Sequence, residues 1–241
     1  AKEASDIVLT DDNFSTIVKA IIEGRTVYDN IVKSILFILP TNFAEAALII
    51  IAIMAGQMLP ITPAQVLWVN TITAITLSLA LVFEPTEKNT MDKPPRKRNA
   101  GLVTVNLLVR MLIVGLTSAI ILFSLFFYYR NSDSSINLAR TVVVNALVFL
   151  EIVYLLNCRS LNESLFRADS LKGIVPSILA IVIAIVMQLA FTYLPLFQNI
   201  FDLEGLKIND WLLIIATTSP ILFVIELEKF IWRKTKRPQP S

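Results

Sequence analysis

Glu45 lies midway along the apolar run 35–55, and Glu151 lies within the run 141–156. If these runs cross a bilayer, each carboxylate sits where its charge costs roughly 3 kcal/mol or more, unless it faces a polar interior, is paired or is protonated. Ionisable groups so placed are candidates for function by default. Asn42 precedes Glu45 by three residues, about one helical turn. Asn70 and Thr73, also three apart, lie on the next apolar run. Carboxylate, amide and hydroxyl oxygens from these residues could form an oxygen-lined cation site inside a helix bundle. On their own, Asn42, Asn70 and Thr73 have a commoner use, which is hydrogen bonding between helices.

The elements that must position these residues are membrane helices. Mean hydropathy is +0.69, and 55% of the residues are hydrophobic. Long apolar stretches run over 35–55, 64–83, 105–129, 139–157, 174–194 and 211–231. A spanning helix needs about 20 mostly apolar residues, so all six qualify, the fourth only just. A soluble all-α protein is disfavoured because charged residues crowd the connections and nearly vanish within the runs. Lys2, Lys19, Arg25 and Lys33 precede the first span, and Lys88, Lys93, Arg96, Lys97 and Arg98 follow the second. Arg159, Arg167 and Lys172 follow the fourth, and Lys229, Arg233, Lys234, Lys236 and Arg237 close the chain. Only Arg130, Arg140 and Lys207 belong to the other side, with Arg110 just inside the third span. This bias predicts both termini in the cytoplasm.

The net charge of +2 gives no argument for nucleic acid. The single cysteine, Cys158, cannot form an internal disulfide and reads as a packing residue. The lack of histidine argues against zinc and His-based acid–base chemistry. No signal peptide opens the chain, and its first residues read like the middle of something larger.

Residues 7–9 suit a short strand, and Asp11-Asp12-Asn13 suits the start of a helix. Phe14, Ile17, Val18, Ile21 and Ile22 then recur at helical spacing. Gly24 interrupts, and Tyr28, Ile31, Val32 and Ile35 resume the period, so a second helix is expected to run straight into the first span. Pro40 removes a backbone donor and displaces the carbonyl of Leu36. A freed carbonyl near a carboxylate could serve a cation; the commoner outcome is a simple packing kink. Pro176 and Pro220 read as kinks or helix starts. Asn145 and Gln188 read as packing contacts, Glu226 as interfacial, Trp211 and Trp232 as an aromatic belt, and the basic tail 233–237 as a headgroup anchor.

Three blocks carry a family resemblance. Residues 4–18, Ala-Ser-Asp-Ile-Val-Leu-Thr-Asp-Asp-Asn-Phe-Ser-Thr-Ile-Val, precede Glu23-Gly24-Arg25. Trp68-Val69-Asn70 opens the second span and Phe83-Glu84-Pro85 closes it. Met91-Asp92-Lys93-Pro94-Pro95-Arg96 follows. In order and spacing these resemble the C-terminal part of P-type cation-transporting ATPases, calcium-pump-like branch, of bacterial kind. The resemblance implies an all-α membrane protein carrying the fifth to tenth membrane helices of a pump. Residues 1–25 would end the cytoplasmic phosphorylation domain, 26–55 would be the stalk and first span, 84–104 a cytoplasmic loop, and 232–241 a cytoplasmic tail. It implies metal ligation by Asn42, Glu45, Asn70, Thr73 and Glu151. The implied partners are the lipid bilayer, the transported cation and the missing N-terminal two-thirds of the pump, in a bacterial plasma membrane.

ATP and Mg²⁺ would act in that missing part. Neither Asp-Lys-Thr-Gly-Thr nor Gly-Asp-Gly-Val-Asn-Asp occurs here, so this stretch alone is expected to be inactive as an ATPase. One departure bears on the cargo. Ala74 follows Thr73 where calcium pumps place an aspartate shared by both ions. The expectation is therefore one Ca²⁺ or a different cation (Na⁺, K⁺ or Mg²⁺), with proton counter-transport through Glu45 and Glu151 when the site empties. A non-enzymatic cation pathway or scaffold is the reading from another class.

Overall fold

Asn13 begins the first helix as a cap, its Oδ1 accepting the Ser15 amide at 3.0 Å. The computed structural model describes residues 13–86, 90–92, 94–95, 105–159 and 173–235. The expected strand at 7–9, most of the basic loop, the Trp232 side chain and the end of the tail lie outside the described residues.

Helix α1, Phe14–Met54, is continuous over 41 residues. Its length is ~60 Å at 1.5 Å per residue, about twice a hydrocarbon core. One half is therefore long enough for a span, and the other, the stalk half, continues beyond it. Contrary to the expectation from periodicity, Gly24 does not interrupt it. A mid-helix glycine costs only ~1 kcal/mol, which a long helix absorbs. Pro40 also stays inside the helix, and the carbonyl that it frees is taken up by a side chain. The Tyr154 hydroxyl, from the fourth span, donates to the Leu36 carbonyl at 2.7 Å. The Thr41 hydroxyl donates to the carbonyls of Phe37 and Ile38, both at 3.1 Å. The packing reading of Pro40 thus holds for Leu36, because a buried side chain consumes the carbonyl.

The second span starts with a capping box, in which Thr62 and Gln65 satisfy each other's backbone amides. It is not one regular helix. Helix α2, Pro63–Thr73, passes into a π-helical turn at Ala74–Ser78 and then into α3, Leu79–Val82. Helix α4 is Val105–Asn131 and α5, capped by Ser135, is Ile136–Cys158. Helix α6, Val175–Tyr193, has Pro176 in its first turn, where the missing donor costs nothing. Helix α7, Pro195–Phe201, follows at once. The last span divides at Ser219 and Pro220 into α8, Ile208–Thr218, and α9, Ile221–Thr235.

Among the described residues, six stretches are long and apolar enough to cross a membrane, from Phe14–Met54 through Ile208–Ile231. The α5 stretch is 83% buried against 22% for the last, so α5 forms the centre of the bundle. It packs against α1, α2, α4, α6, α8 and α9. Small residues allow close approach where α1 meets α4. A Cβ built on Gly115 would lie 2.4 Å from Phe43 Cδ1 and 3.2 Å from the Pro40 carbonyl oxygen. At the stalk end, Arg110 grips Glu228 through Nε at 2.9 Å and Nη2 at 2.5 Å. Lys229 Nζ donates to the Asn157 carbonyl at 2.8 Å. Glu228 is thus a buried ion-pair partner that ties α9 to α4, whereas the sequence pattern marks only an interfacial cluster.

Candidate functional site: two buried carboxylates beside a helix irregularity

Glu45 projects from α1 five residues beyond Pro40, and only 5% of it is exposed. Its Oε2 accepts the Asn70 side-chain amide from α2 at 2.9 Å. Its Oε1 is buried and has no hydrogen-bond partner. Glu151, on α5, is 2% exposed. It faces the Thr73 hydroxyl and lies within electrostatic reach of Glu45. Its Oε2 is also buried without a partner. Thr73 is itself buried, and its hydroxyl also reaches the Val69 carbonyl at 3.0 Å.

Three elements therefore converge on one point, and the sequence-predicted residues Glu45, Asn70, Thr73 and Glu151 meet there. Asn42 does not join them in the interior. It lies on the same helix one turn earlier and is exposed, as is Ala74 at the start of the π turn. Among the described residues no cluster of three acidic, histidine or cysteine side chains forms. The site has two carboxylates, an amide and a hydroxyl.

The chemistry of this arrangement follows from its unmet needs. Buried polar atoms are nearly always hydrogen-bonded. Two carboxylate oxygens held in an apolar bundle without donors carry a large desolvation cost unless something positive joins them. A cation between the helices or a proton on the carboxyl group would meet that need. The π turn sharpens the case, since π-bulges occur disproportionately at functional sites. It directly follows Thr73 and disrupts the regular ladder of the span beside the carboxylates.

The sequence carries no signal for the π turn. Nothing in Ala74-Ile75-Thr76-Leu77-Ser78 distinguishes it from an ordinary apolar helical segment. A polar belt lies nearer the opposite end of the bundle. Trp68 Nε1 donates to Gln188 Oε1 at 3.4 Å, and Gln188 Nε2 donates to Asn145 Oδ1 at 3.2 Å. The Thr192 hydroxyl donates to the same Asn145 oxygen at 3.0 Å. Thr141–Asn145 and Gln188–Thr192 are pairs four apart within apolar runs, and that spacing was the available signal. Asn145 and Gln188 are packing contacts, as expected from the sequence, though part of one network. Trp68 also stacks on Phe191 at 4.8 Å and packs against Phe197 and Phe201.

Comparisons with known proteins give the chain's family. The family described as "Cation transporting ATPase, C-terminus" matches residues 58–231. "Probable cation-transporting ATPase F" of Mycobacterium bovis is 39% identical over 99% of this chain and 26% of its own length. "Cation-transporting ATPase pma1" of Synechocystis is 35% identical over 92% of this chain and 25% of its own length. "Calcium-transporting ATPase 1" of Bacillus cereus is 35% identical over 95% of this chain and 27% of its own length. The chain thus spans about a quarter of the length of the curated relatives it matches. The membrane-length stretches among the described residues, packed around buried carboxylates and read with these likenesses, make the chain an integral membrane protein of the P-type cation-transporting ATPase family, corresponding to its C-terminal region.

Proposed function

We propose that this chain is the cation-binding and transport part of an ATP-driven pump, with Ca²⁺ as its cargo. Glu45, Asn70, Thr73 and Glu151 would line the site, and Asn42 would complete it toward the rest of the pump. The observation that carries the reading is the pair of buried carboxylate oxygens, Glu45 Oε1 and Glu151 Oε2, left without hydrogen-bond partners. Hard cations take oxygen ligands, and Ca²⁺ takes six to eight of them. The names of two relatives, in Bacillus cereus and Schizosaccharomyces pombe, also carry calcium transport.

Charge limits the stoichiometry. Two carboxylates neutralise one divalent ion, and Ala74 brings no third. One Ca²⁺ per cycle is the corresponding expectation. When that ion leaves, the like charges of Glu45 and Glu151 face each other in a dry interior. Protons taken up from the release side would relieve this, which gives proton counter-transport. Both termini would lie in the cytoplasm, α1 would link the stalk to the site, and residues 1–25 would end the phosphorylation domain. ATP and Mg²⁺ would act in the rest of the protein.

The test is phosphoenzyme formation from ATP by the whole protein, titrated separately with Ca²⁺, Na⁺, K⁺ and Mg²⁺. The expected result is a response to micromolar Ca²⁺ alone, abolished by Glu45→Gln. A response to a different cation overturns the calcium assignment and leaves the pump. Cation flux without any phosphoenzyme would favour a passive pathway. Transport indifferent to pH on the release side would end the counter-transport reading.

A further inference from the structure

The second span meets an ion pair at its stalk end. Glu84 directly follows the final turn of α3 and is only 6% exposed. Arg159, at the end of α5, donates to it through Nε at 2.6 Å and Nη2 at 3.4 Å. The Ser177 hydroxyl, from the first turn of α6, donates to Oε1 at 3.0 Å. The stalk holds the same corner through its backbone. Asn30 Nδ2 donates to the carbonyls of Val82 at 3.0 Å and Glu84 at 2.8 Å. Pro85 fills a notch made by Gly173. That glycine has φ +68°, and a Cβ there would lie 2.5 Å from Pro85 Cγ. One dipeptide thereby joins α1, α3, α5 and α6.

The other end of the span is also held. Gln65 Nε2 donates to the Phe201 carbonyl at 3.0 Å, and Trp68 is packed among three phenylalanines. Between two fastened ends lies the π turn, immediately after Thr73. A span fixed at both ends and irregular in the middle has its register set by those ends. If the Glu84 end slips, Asn70 moves relative to Glu45 and Thr73 relative to Glu151. Ion pairing suits this role. A buried pair contributes little net stability, but its geometry is directional, and its best-attested use is to set register.

We infer that Glu84 is a positioning residue for the cation site: its lock to Arg159 and Ser177 fixes the second span so that Asn70 and Thr73 stay opposed to the two carboxylates. The inference rests on the reading that those residues bind the cation.

The experiment uses the whole protein and measures the half-saturating Ca²⁺ concentration and the maximal phosphoenzyme level separately. Glu84→Ala is expected to raise the half-saturating concentration about tenfold, in the range seen for couplings that act through other residues. The maximal level at saturating Ca²⁺ should be retained. The swap of Glu84→Arg with Arg159→Glu should recover most of the affinity. Glu228→Gln breaks a comparable buried pair with Arg110, away from the second span, and should leave affinity unchanged. If Glu84→Ala does not fold, Ser177→Ala removes a single donor and should give a smaller shift in the same direction. Wild-type affinity in the folded Glu84 or Ser177 variant, beside a Glu45→Gln variant that has lost its response, overturns the lock alone. An equal shift in Glu228→Gln also overturns it, because loosening anywhere would then suffice. A wild type that no cation triggers removes the transport reading and this role with it.

Discussion

Tyr154→Phe isolates one hydroxyl and one carbonyl. The Pro40 ring leaves the Leu36 carbonyl without its helical donor, and the Tyr154 hydroxyl supplies the replacement at 2.7 Å. The phenylalanine ring would keep the stack on Phe37, whose centroid lies 6.1 Å away. Tyr154 is 1% exposed, so water cannot take over the bond. A buried acceptor left unpaired costs about 1–3 kcal/mol in soluble proteins. Side-chain hydrogen bonds in membranes average ~0.6 and reach ~1.7 kcal/mol. The carbonyl here has lost its alternative partner, so a cost of about 1–2 kcal/mol is expected, toward the upper part of the membrane range. The decisive assay is a double-mutant cycle with Pro40→Ala, read as reversible unfolding in mixed micelles. Alanine at 40 restores the amide that bonds to Leu36, so Tyr154→Phe should then cost under about 0.5 kcal/mol. Equal costs in both backgrounds would refute the reasoning, because the hydroxyl would then not be serving the carbonyl that proline freed.

Three further outcomes are expected. Gly115→Ala drives a methyl group into Phe43 and toward the Pro40 carbonyl, and overpacking of this kind costs about 1–3 kcal/mol; thermal unfolding should drop, and an unchanged transition would contradict the tight α1–α4 contact. Asn145→Leu strands the side-chain amide donor of Gln188, whereas the Thr192 hydroxyl keeps the Gln188 carbonyl at 2.8 Å, again at about 1–3 kcal/mol, yet it should leave the half-saturating Ca²⁺ concentration alone, since the belt is separate from the carboxylates. Ala74→Asp adds a carboxylate next to Thr73 and should raise the number of Ca²⁺ ions bound at saturation from one toward two; unchanged equilibrium binding would mean that carboxylate count does not set stoichiometry.

Much of the architecture was legible because a bilayer imposes a simple code. Twenty apolar residues between charged connections leave a chain little choice but a spanning helix. All six spans follow from this; the cap at Asn13 follows instead from a short polar side chain that can accept a first-turn amide. Proline was legible in part. Pro176 and Pro220 stand at helix starts because their missing amides are harmless there, but the fate of the Leu36 carbonyl depended on Tyr154, more than a hundred residues away. Gly24 misled for a related reason: local propensity favours a break, and the continuity of the stalk outweighs it.

The candidate site divides in the same way. Glu45 and Glu151 stand out in the sequence because ionised groups in apolar runs are costly unless something pairs or protonates them, so each calls for a partner wherever the fold puts it. Asn70 and Thr73 are ordinary residues until the fold sets them against those carboxylates. The tertiary structure alone decided which oxygens are left without partners, that Asn42 lies on the exposed side of α1, and that the second span deforms at Ala74–Ser78. It also decided that Glu84, a loop residue by sequence, is buried against Arg159. Desolvation cost is a property of a residue and its segment, so it can be read along the chain. Pairing, register and strain are properties of helices placed side by side, and they exist only once the bundle has packed.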